Sequence, residues 1–362
     1  MTESRFLTQP QSYKWSRLIH HSNAQTDKAP EVGYVEHVTR VYFRSVINAN
    51  WINYYFSSDI TSDYETNWKR RFTPFEEPEI VREPIAILPF ALLNAGHSQC
   101  QLIGYHNIIS SNPTISLLKL GIASAVKDYL PHIFELLILI FGNDRLIVLN
   151  SSKTYFLHSA YLVQARTSVD ILPGKINAIP KNGYQQLHFN CSPHNAYSED
   201  ISCITSAVED IRTSSRIGVD THENIFFVKS TDPSPGSYVG TPGRALQISS
   251  ECREFLVSHG FKILSFSDFK NLHHCISILS HAKKVITSWG NIAAANRFFY
   301  SSDAEIVLLG NMAYSNEFEK IPGTGCFGLL VFPVNTQYVV RGFPDAPSIP
   351  DFRKVINILG FD

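Results

Sequence analysis

The sequence contains no C-x-x-C pair. Its six cysteines (Cys100, Cys191, Cys203, Cys252, Cys275 and Cys326) are scattered, with no histidine at zinc-finger spacing. That argues against the common zinc modules and against a disulfide framework, and fits buried free thiols in a reducing compartment. Charge is sparse as well: 17% of residues are charged, the net charge is -1, and neither sign forms a long block. A nucleic-acid partner would need a wide basic footprint, so none is expected. The densest basic run, Lys69-Arg70-Arg71 beside Trp68 and Phe72, reads as a solvated loop rather than a phosphate or lipid contact.

Long apolar runs are missing too. The longest, Ile133 to Phe141, is interrupted by Glu135 and is too short to cross a bilayer, and the opening MTESRFLTQPQSYKWSRLIHH has no apolar core of signal-peptide length. The expectation is a cytoplasmic protein without an integral membrane segment. There is no D-x-D, no G-x-S-x-G elbow, no Walker loop and no internal repeat. The adjacent pairs His20-His21 and His273-His274 point apart on a helix or strand, so no metal site is expected.

What is present is enough apolar material for a packed interior, 44% of 362 residues, in a chain long enough to split into two domains. The first 30 or so residues are polar and read as a loosely ordered leader. From Gly33 to Ile60, Val, Tyr and Phe recur with partial alternation and predict strands. Ile85–Leu93 and Ile115–Ala125 are apolar runs flanking an Asn- and Ser-rich stretch. Then VKDYLPHIFELLILIFG carries Leu130, Ile133, Leu136, Leu137 and Ile140 at helical spacing, RLIVLN reads as a buried strand, and Tyr155–Gln164 as a second helix.

Beyond Asp200 the alternation is regular. Helices are expected over Asp200–Ser214, Ser249–Ser258, Asp268–Ala282 and Asn291–Tyr300. Strands are expected at Asn224–Lys229, Phe261–Ser265, Lys284–Ser288 and Glu305–Leu309. Strands separated by helix-sized connections form parallel sheets with helices on both faces, so the C-terminal half is expected to be Rossmann-like. LLVFPV is a further strand candidate, and SIPDFRKVINILG a final helix capped by Ser348 or Asp351.

Ligands of such sheets bind beyond the carboxyl ends of the strands. VITSWGNIAAANRFFY places Ser288, Trp289, Gly290 and Asn291 at one strand–helix turn, where Gly admits a ligand to the backbone. The same pattern occurs at any strand–helix turn. Lys229 at the end of NIFFVK and Arg244 beyond a glycine-rich loop could neutralise a diphosphate there, or Arg244 could simply top the next helix. The G-x-G-x-x-G match from Gly323 to Gly328 has Ile321-Pro322 before it and a strand candidate after it, the inverse of a dinucleotide fingerprint, and is set aside.

Residues 120 to 312 resemble the family 61 glycosyltransferases (DUF563), which include capsular polysaccharide biosynthesis enzymes. The likeness lies in Leu130-Pro131, in NIFFVKS with Gly243-Arg244, and in the order Gly260-Phe261, Ala282-Lys283, Gly290, Asn296, Phe298. Where the family has His, this chain has Ser124 and Trp289.

The resemblance implies two Rossmann-like domains facing each other, a GT-B-like arrangement, with the nucleotide-sugar as substrate, a glycan acceptor, and no cofactor or metal. It implies an acceptor-side domain over residues 31–215 and a nucleotide-sugar domain over 216–335. The tail, 336–362, would carry a final helix that packs back on the N-terminal domain. Asp128 would be the base, or else a helix-surface carboxylate. Lys229, Arg244, Ser288, Trp289, Gly290 and Asn291 would hold the donor, with Asn296 shaping the pocket. Peripheral association with polysaccharide assembly machinery would follow. The alternative is a catalytically degenerate binding or scaffold subunit of such machinery.

Overall fold

A computed structural model describes residues 16–18, 34–48, 51–57, 77–90, 92–165, 172, 175–182, 184–214, 222–229, 246–311 and 331–361. Apart from Ser16–Leu18, the expected leader lies outside them. The protein is mixed α/β with two sheets of mostly parallel strands. It divides into one unit of residues 1–94 and 100–167 and another of residues 95–99 and 168–362.

The first sheet comprises β1 (Ser16–Leu18), β2 (Tyr34–Asn48), β3 (Trp51–Ser57), β4 (Glu79–Val81), β5 (Ile85–Ile87), β6 (Lys119–Ala123), β7 (Leu146–Leu149) and β8 (Tyr155–Gln164). Its order is β1-β3-β2-β8-β5-β6-β7, with β4 also paired to β8. Strand β2 is antiparallel to β3 and β8, whereas β8, β5, β6 and β7 run parallel.

Residues 155–164, expected to be helical, are therefore a strand. Their buried side chains are Tyr155, Leu157, Ala160, Leu162, Val163 and Gln164, so both faces are covered at the end that runs between β2 and β5. Between Leu157 and Ala160 the step is three. The partner strand makes the same three-residue step between Val38 and Val41, which pair with Ala160 and Leu157. Side chains alternate sides along a strand, so a step of three moves burial to the other face, and Val35 and Val163, paired beyond it, bring the first face back under cover. Arg40, inside the step, has a left-handed backbone (φ 54°), the local bend that permits the change.

The single helix expected over 126–142 is two helices, Ser124–Tyr129 and Pro131–Phe141. Leu130 leaves the helical region (φ -131°, ψ 57°) because the ring of Pro131 disfavours an α conformation in the residue before it. The Asn- and Ser-rich stretch after Asn94 folds as helix Ala95–Ser111.

The second sheet contains β9 (Ile176–Lys181), β10 (Tyr184–Phe189), β11 (Asn224–Phe227), β12 (Lys262–Leu264), β13 (Lys284–Ser288), β14 (Glu305–Asn311) and β15 (Thr336–Phe343). Their order is β12-β11-β13-β14-β15-β10-β9. The five strands from β11 to β15 pair in parallel, and β10 and β9 add an antiparallel edge. Residues 176–189 thus belong to this sheet, and the unit starts near residue 168 rather than 216. Of LLVFPV, the described residues 331–334 form no strand, and β15 begins at Thr336.

Both faces of the parallel strands are covered. On one face Phe226, Ile286, Val307 and Leu309 pack with Cys252 and Leu256 of helix Ser250–Ser258 and with Phe352, Val355 and Ile356 of the final helix, Ile349–Ile358. On the other, Phe227 meets Phe266 and Phe269 at centroid distances of 5.1 and 6.0 Å, leading into helix Leu272–Leu279.

The final helix, expected to return to the N-terminal domain, is part of this second core. Ser348 and Asp351 act together in a capping box at its start. Its far end is held by Lys284 Nζ, which donates to the Leu359 carbonyl and lies 4.6 Å from the Phe361 ring centre. The apolar stripe Phe352, Val355, Ile356 and Leu359 matches the face left open on this sheet, which is why it docks there.

Candidate functional site

The chain enters the parallel sheet at β11, turns to β12 on one side, and then crosses to β13 on the other. The direction of winding reverses between β11 and β13, and such switch points leave a crevice at the carboxyl ends of the two strands. Register fixes which residues stand there. Phe227 pairs with Thr287, so Lys229 and Trp289 each lie two residues past the last paired position. Adjacent strands are about 4.8 Å apart, so the two chains leave the sheet side by side. Val228 N–H extends the pairing outward to the Leu264 carbonyl (2.8 Å), and Trp289 N–H does the same to Leu309 (2.8 Å).

The turn itself is shaped by glycine. Gly290 has φ 122° and ψ -161°, a region closed to residues with a Cβ. Its carbonyl accepts from Ala294 N–H (3.1 Å), which begins the helix Asn291–Asn296. Ser288 and Gly290 are partly exposed, as is Lys229, while Trp289 is buried. The structure thus brings together Lys229, Ser288, Trp289, Gly290 and the backbone of Asn291. Arg244 lies outside the described residues, as does the G-x-G-x-x-G match.

Asn296 is at the far end of that helix, fully buried, and neither end of its carboxamide has a hydrogen-bond partner. It lines the interior rather than the crevice. The hydroxyls of Thr287 and Tyr300 are also buried without partners, and burial holds the Tyr300 phenol far above its ordinary pKa. Each such group costs about 1–3 kcal/mol. The stretch from Thr287 to Tyr300 therefore holds several costly polar groups. Sequence reasoning missed Thr287 and Tyr300, because VITS and RFFY look like plain core. A threonine directly after Val285 and Ile286 in a buried strand is the one signal that could have marked the spot.

At the amino ends of the strands the chemistry is already closed. The Glu223 carbonyl accepts from both Lys283 N–H (2.7 Å) and Lys284 N–H (2.9 Å), and the Glu223 carboxylate pairs with Lys283 Nζ (2.5 Å).

Asp128 lies in the first unit, exposed on helix Ser124–Tyr129. At the start of that helix the Ser124 hydroxyl donates to Ser151 Oγ (3.3 Å) and accepts from Ser151 N–H (3.1 Å), tying the ends of β6 and β7 together. Among the described residues no three His, Cys, Asp or Glu side chains converge on a point that could hold a metal, and no helix is long and apolar enough to cross a membrane. No family model matches the chain, and no curated protein matches it.

Proposed function

We propose that the chain is a glycosyltransferase. In this reading the second unit holds a nucleotide-sugar at the carboxyl ends of β11 and β13, and the first unit, facing it in a GT-B-like arrangement, holds a polysaccharide or oligosaccharide acceptor. The observation that carries it is the switch point. Lys229 and the Gly290 turn leave adjacent parallel strands at the same end of the sheet, where a diphosphate can meet a cation and an open backbone. The polar groups without partners between Thr287 and Tyr300 add support, because folded chains keep such costs mainly where function requires them.

The chemistry follows from that placement. The acceptor hydroxyl loses its proton to a base, for which Asp128 is proposed. Its oxygen then bonds to the anomeric carbon as the bond from that carbon to the phosphate oxygen breaks, and the nucleotide leaves with the electron pair. Lys229, joined by Arg244, meets the charge that develops on the leaving group, and no metal takes part. Titration calorimetry of the full chain against UDP-, GDP-, CMP- and TDP-sugars tests the reading. One donor should bind, and Lys229→Ala should weaken it by about tenfold. A folded sample that binds none of them would sink it.

A second reading, a degenerate binding or scaffold subunit of a polysaccharide assembly complex, is favoured by Trp289. At a position where the resembled family has His, this indole is only 5% exposed. Sugar transfer or donor hydrolysis that is lost in Arg244→Ala but kept in distant surface variants would exclude it. Donor binding without turnover would support it.

A further inference from the structure

A second recessed site opens in the same unit, away from the switch point. A cavity of about 620 Å³ lies between the end of β15, the β9–β10 turn and the final helix. That volume is in the range of pockets that enclose small ligands, about 300–1,000 Å³. Neither Lys229 nor any residue of 288–291 lines it.

Register fixes what faces it. Tyr184 pairs with Val340, so both side chains stand on the sheet face that the final helix covers. Val340, with Val355 and Ile358 of that helix, makes an apolar floor. Tyr184 is half-buried, edge-on to Tyr338 at 5.7 Å between centroids, and adds an aromatic wall. Gln185 faces the other way, and its Oε1 takes the Arg341 guanidinium at 2.9 Å, so Arg341 brings no charge into the cavity. Lys181, which pairs with Tyr184 from the outer strand, is exposed and does not line it.

The charge that remains at the mouth cancels. Asp351 Oδ2 accepts from Ser348 Oγ (2.6 Å) and Ser348 N–H (2.9 Å), and these bonds, helped by the nearby Lys354 ammonium, hold its carboxyl below the usual carboxylate range. Asp351 is therefore ionised at neutral pH, one helical turn from Lys354, and the two are neutral together. The capping bonds use one carboxylate oxygen only. Asp351 Oδ1 and the Lys354 ammonium make no hydrogen bond among the described residues, and both residues line the mouth.

A charged ligand would meet its own sign there as well as the opposite one. A hydroxyl both donates and accepts, so neighbouring hydroxyls satisfy the carboxylate and the ammonium together. Asn182, exposed at the β9–β10 turn, adds an amide donor and acceptor to the rim. An aromatic wall and an apolar floor beneath such a rim suit a ring with a C–H face and hydroxyls around its edge. That combination is a sugar.

We propose that this cavity binds a neutral saccharide, at a site separate from the donor site. Amide NMR spectra of the full chain test it, titrated with the methyl glycosides of glucose, galactose, mannose and N-acetylglucosamine, and with cyclohexanol, glucuronate and leucine. The expected result is shifts at 182–184, 340–344 and 351–358 with at least one glycoside, at an affinity that added salt leaves unchanged. Cyclohexanol, glucuronate and leucine should each bind more weakly by about fivefold or more. Tyr184→Ala should weaken the glycoside by about fivefold. Lys354→Ala, at an exposed helix position where the fold tolerates it, should weaken it by about threefold. A chain that binds none of the glycosides would overturn the proposal. So would binding that neither variant changes, cyclohexanol binding as tightly as the best glycoside, tighter binding of glucuronate or leucine, or shifts confined to 228–229 and 288–291. Because the two sites share no residue, loss of nucleotide-sugar binding in Lys229→Ala leaves this outcome unaffected.

Discussion

Strand β13 is covered on both faces along its length, whereas strand β8 is covered on both faces only toward its end and leaves polar side chains open midway. In β13, Val285, Ile286 and Thr287 are all buried. Midway along β8, His158 is exposed and Ser159 and Tyr161 are half-buried. His37 stacks on Tyr161 at 4.5 Å and bonds Ser159 at 2.9 Å. The contrast teaches where chemistry can sit. A doubly covered strand can offer polar groups to a ligand only at its ends, so the chemistry of the second sheet is pushed to 288–290 and to residue 229. A strand with one open face spreads its polar groups along its length.

Truncation tests that contrast most strongly. Phe226→Ala removes a ring buried between the sheet and the final helix, 5.5 Å from Phe352, and should cost about 3–5 kcal/mol in denaturant unfolding. Phe156→Ala on β8, where the ring is half-buried against Tyr42, should cost under about 2 kcal/mol. Equal losses would break the comparison.

The next effect is on pH dependence and belongs to the first unit. Burial lowers the pKa of His132, on helix Pro131–Phe141, from 6.5 to about 4. Between those values the unfolded chain takes up the proton more readily. The contribution is therefore complete above pH 6.5 and is lost as pH falls toward 4, by up to about 3 kcal/mol. Unfolding of His132→Leu should be flatter across that window than unfolding of the parent chain, and parallel curves would contradict the account.

Gly290→Ala comes third. Its backbone conformation excludes a Cβ, so the loss should be about 1–3 kcal/mol, with donor binding impaired alongside. A variant of unchanged stability would mean that the turn is not held in this shape. The smallest effect sharpens the picture of the interior. Thr287→Val removes a buried hydroxyl that has no partner and should leave stability unchanged or raise it by about 1 kcal/mol. A loss of more than about 1 kcal/mol would reveal a partner for that hydroxyl.

The same contrast explains which parts were legible in the sequence. NIFFVK and KKVITS are short apolar runs between helices, the pattern a doubly covered parallel strand must have, and β11 and β13 form there in register. Tyr155–Gln164 misleads because burial of Leu157, Ala160 and Val163 at steps of three imitates helical spacing. Helix Ala95–Ser111 is hidden for another reason. It buries Ser98, Gln99 and Gln101 beside Leu102, Ile103 and Tyr105, so no apolar stripe stands out. Gln99 spends part of its polarity on the Ala295 carbonyl, a partner almost two hundred residues away that no local pattern could announce.

Within the candidate site, the pairing of Lys229 with the 288–290 turn follows from strand spacing and was readable. The full burial of Asn296 was not, since a short helix after a strand can end at the surface or beneath it. The cavity among Tyr184, Val340 and Ile358 was equally closed to sequence reasoning, because its walls come from three elements brought together only by the β10–β15 pairing.

Hydrogen–deuterium exchange of the full chain, with and without a saturating nucleoside diphosphate, tests the central claim most directly. The account predicts slowed exchange at 228–229 and 288–291, the two neighbouring strand ends of the switch point. Protection confined to 340–358, or no protection at either strand end despite measurable binding, would contradict it.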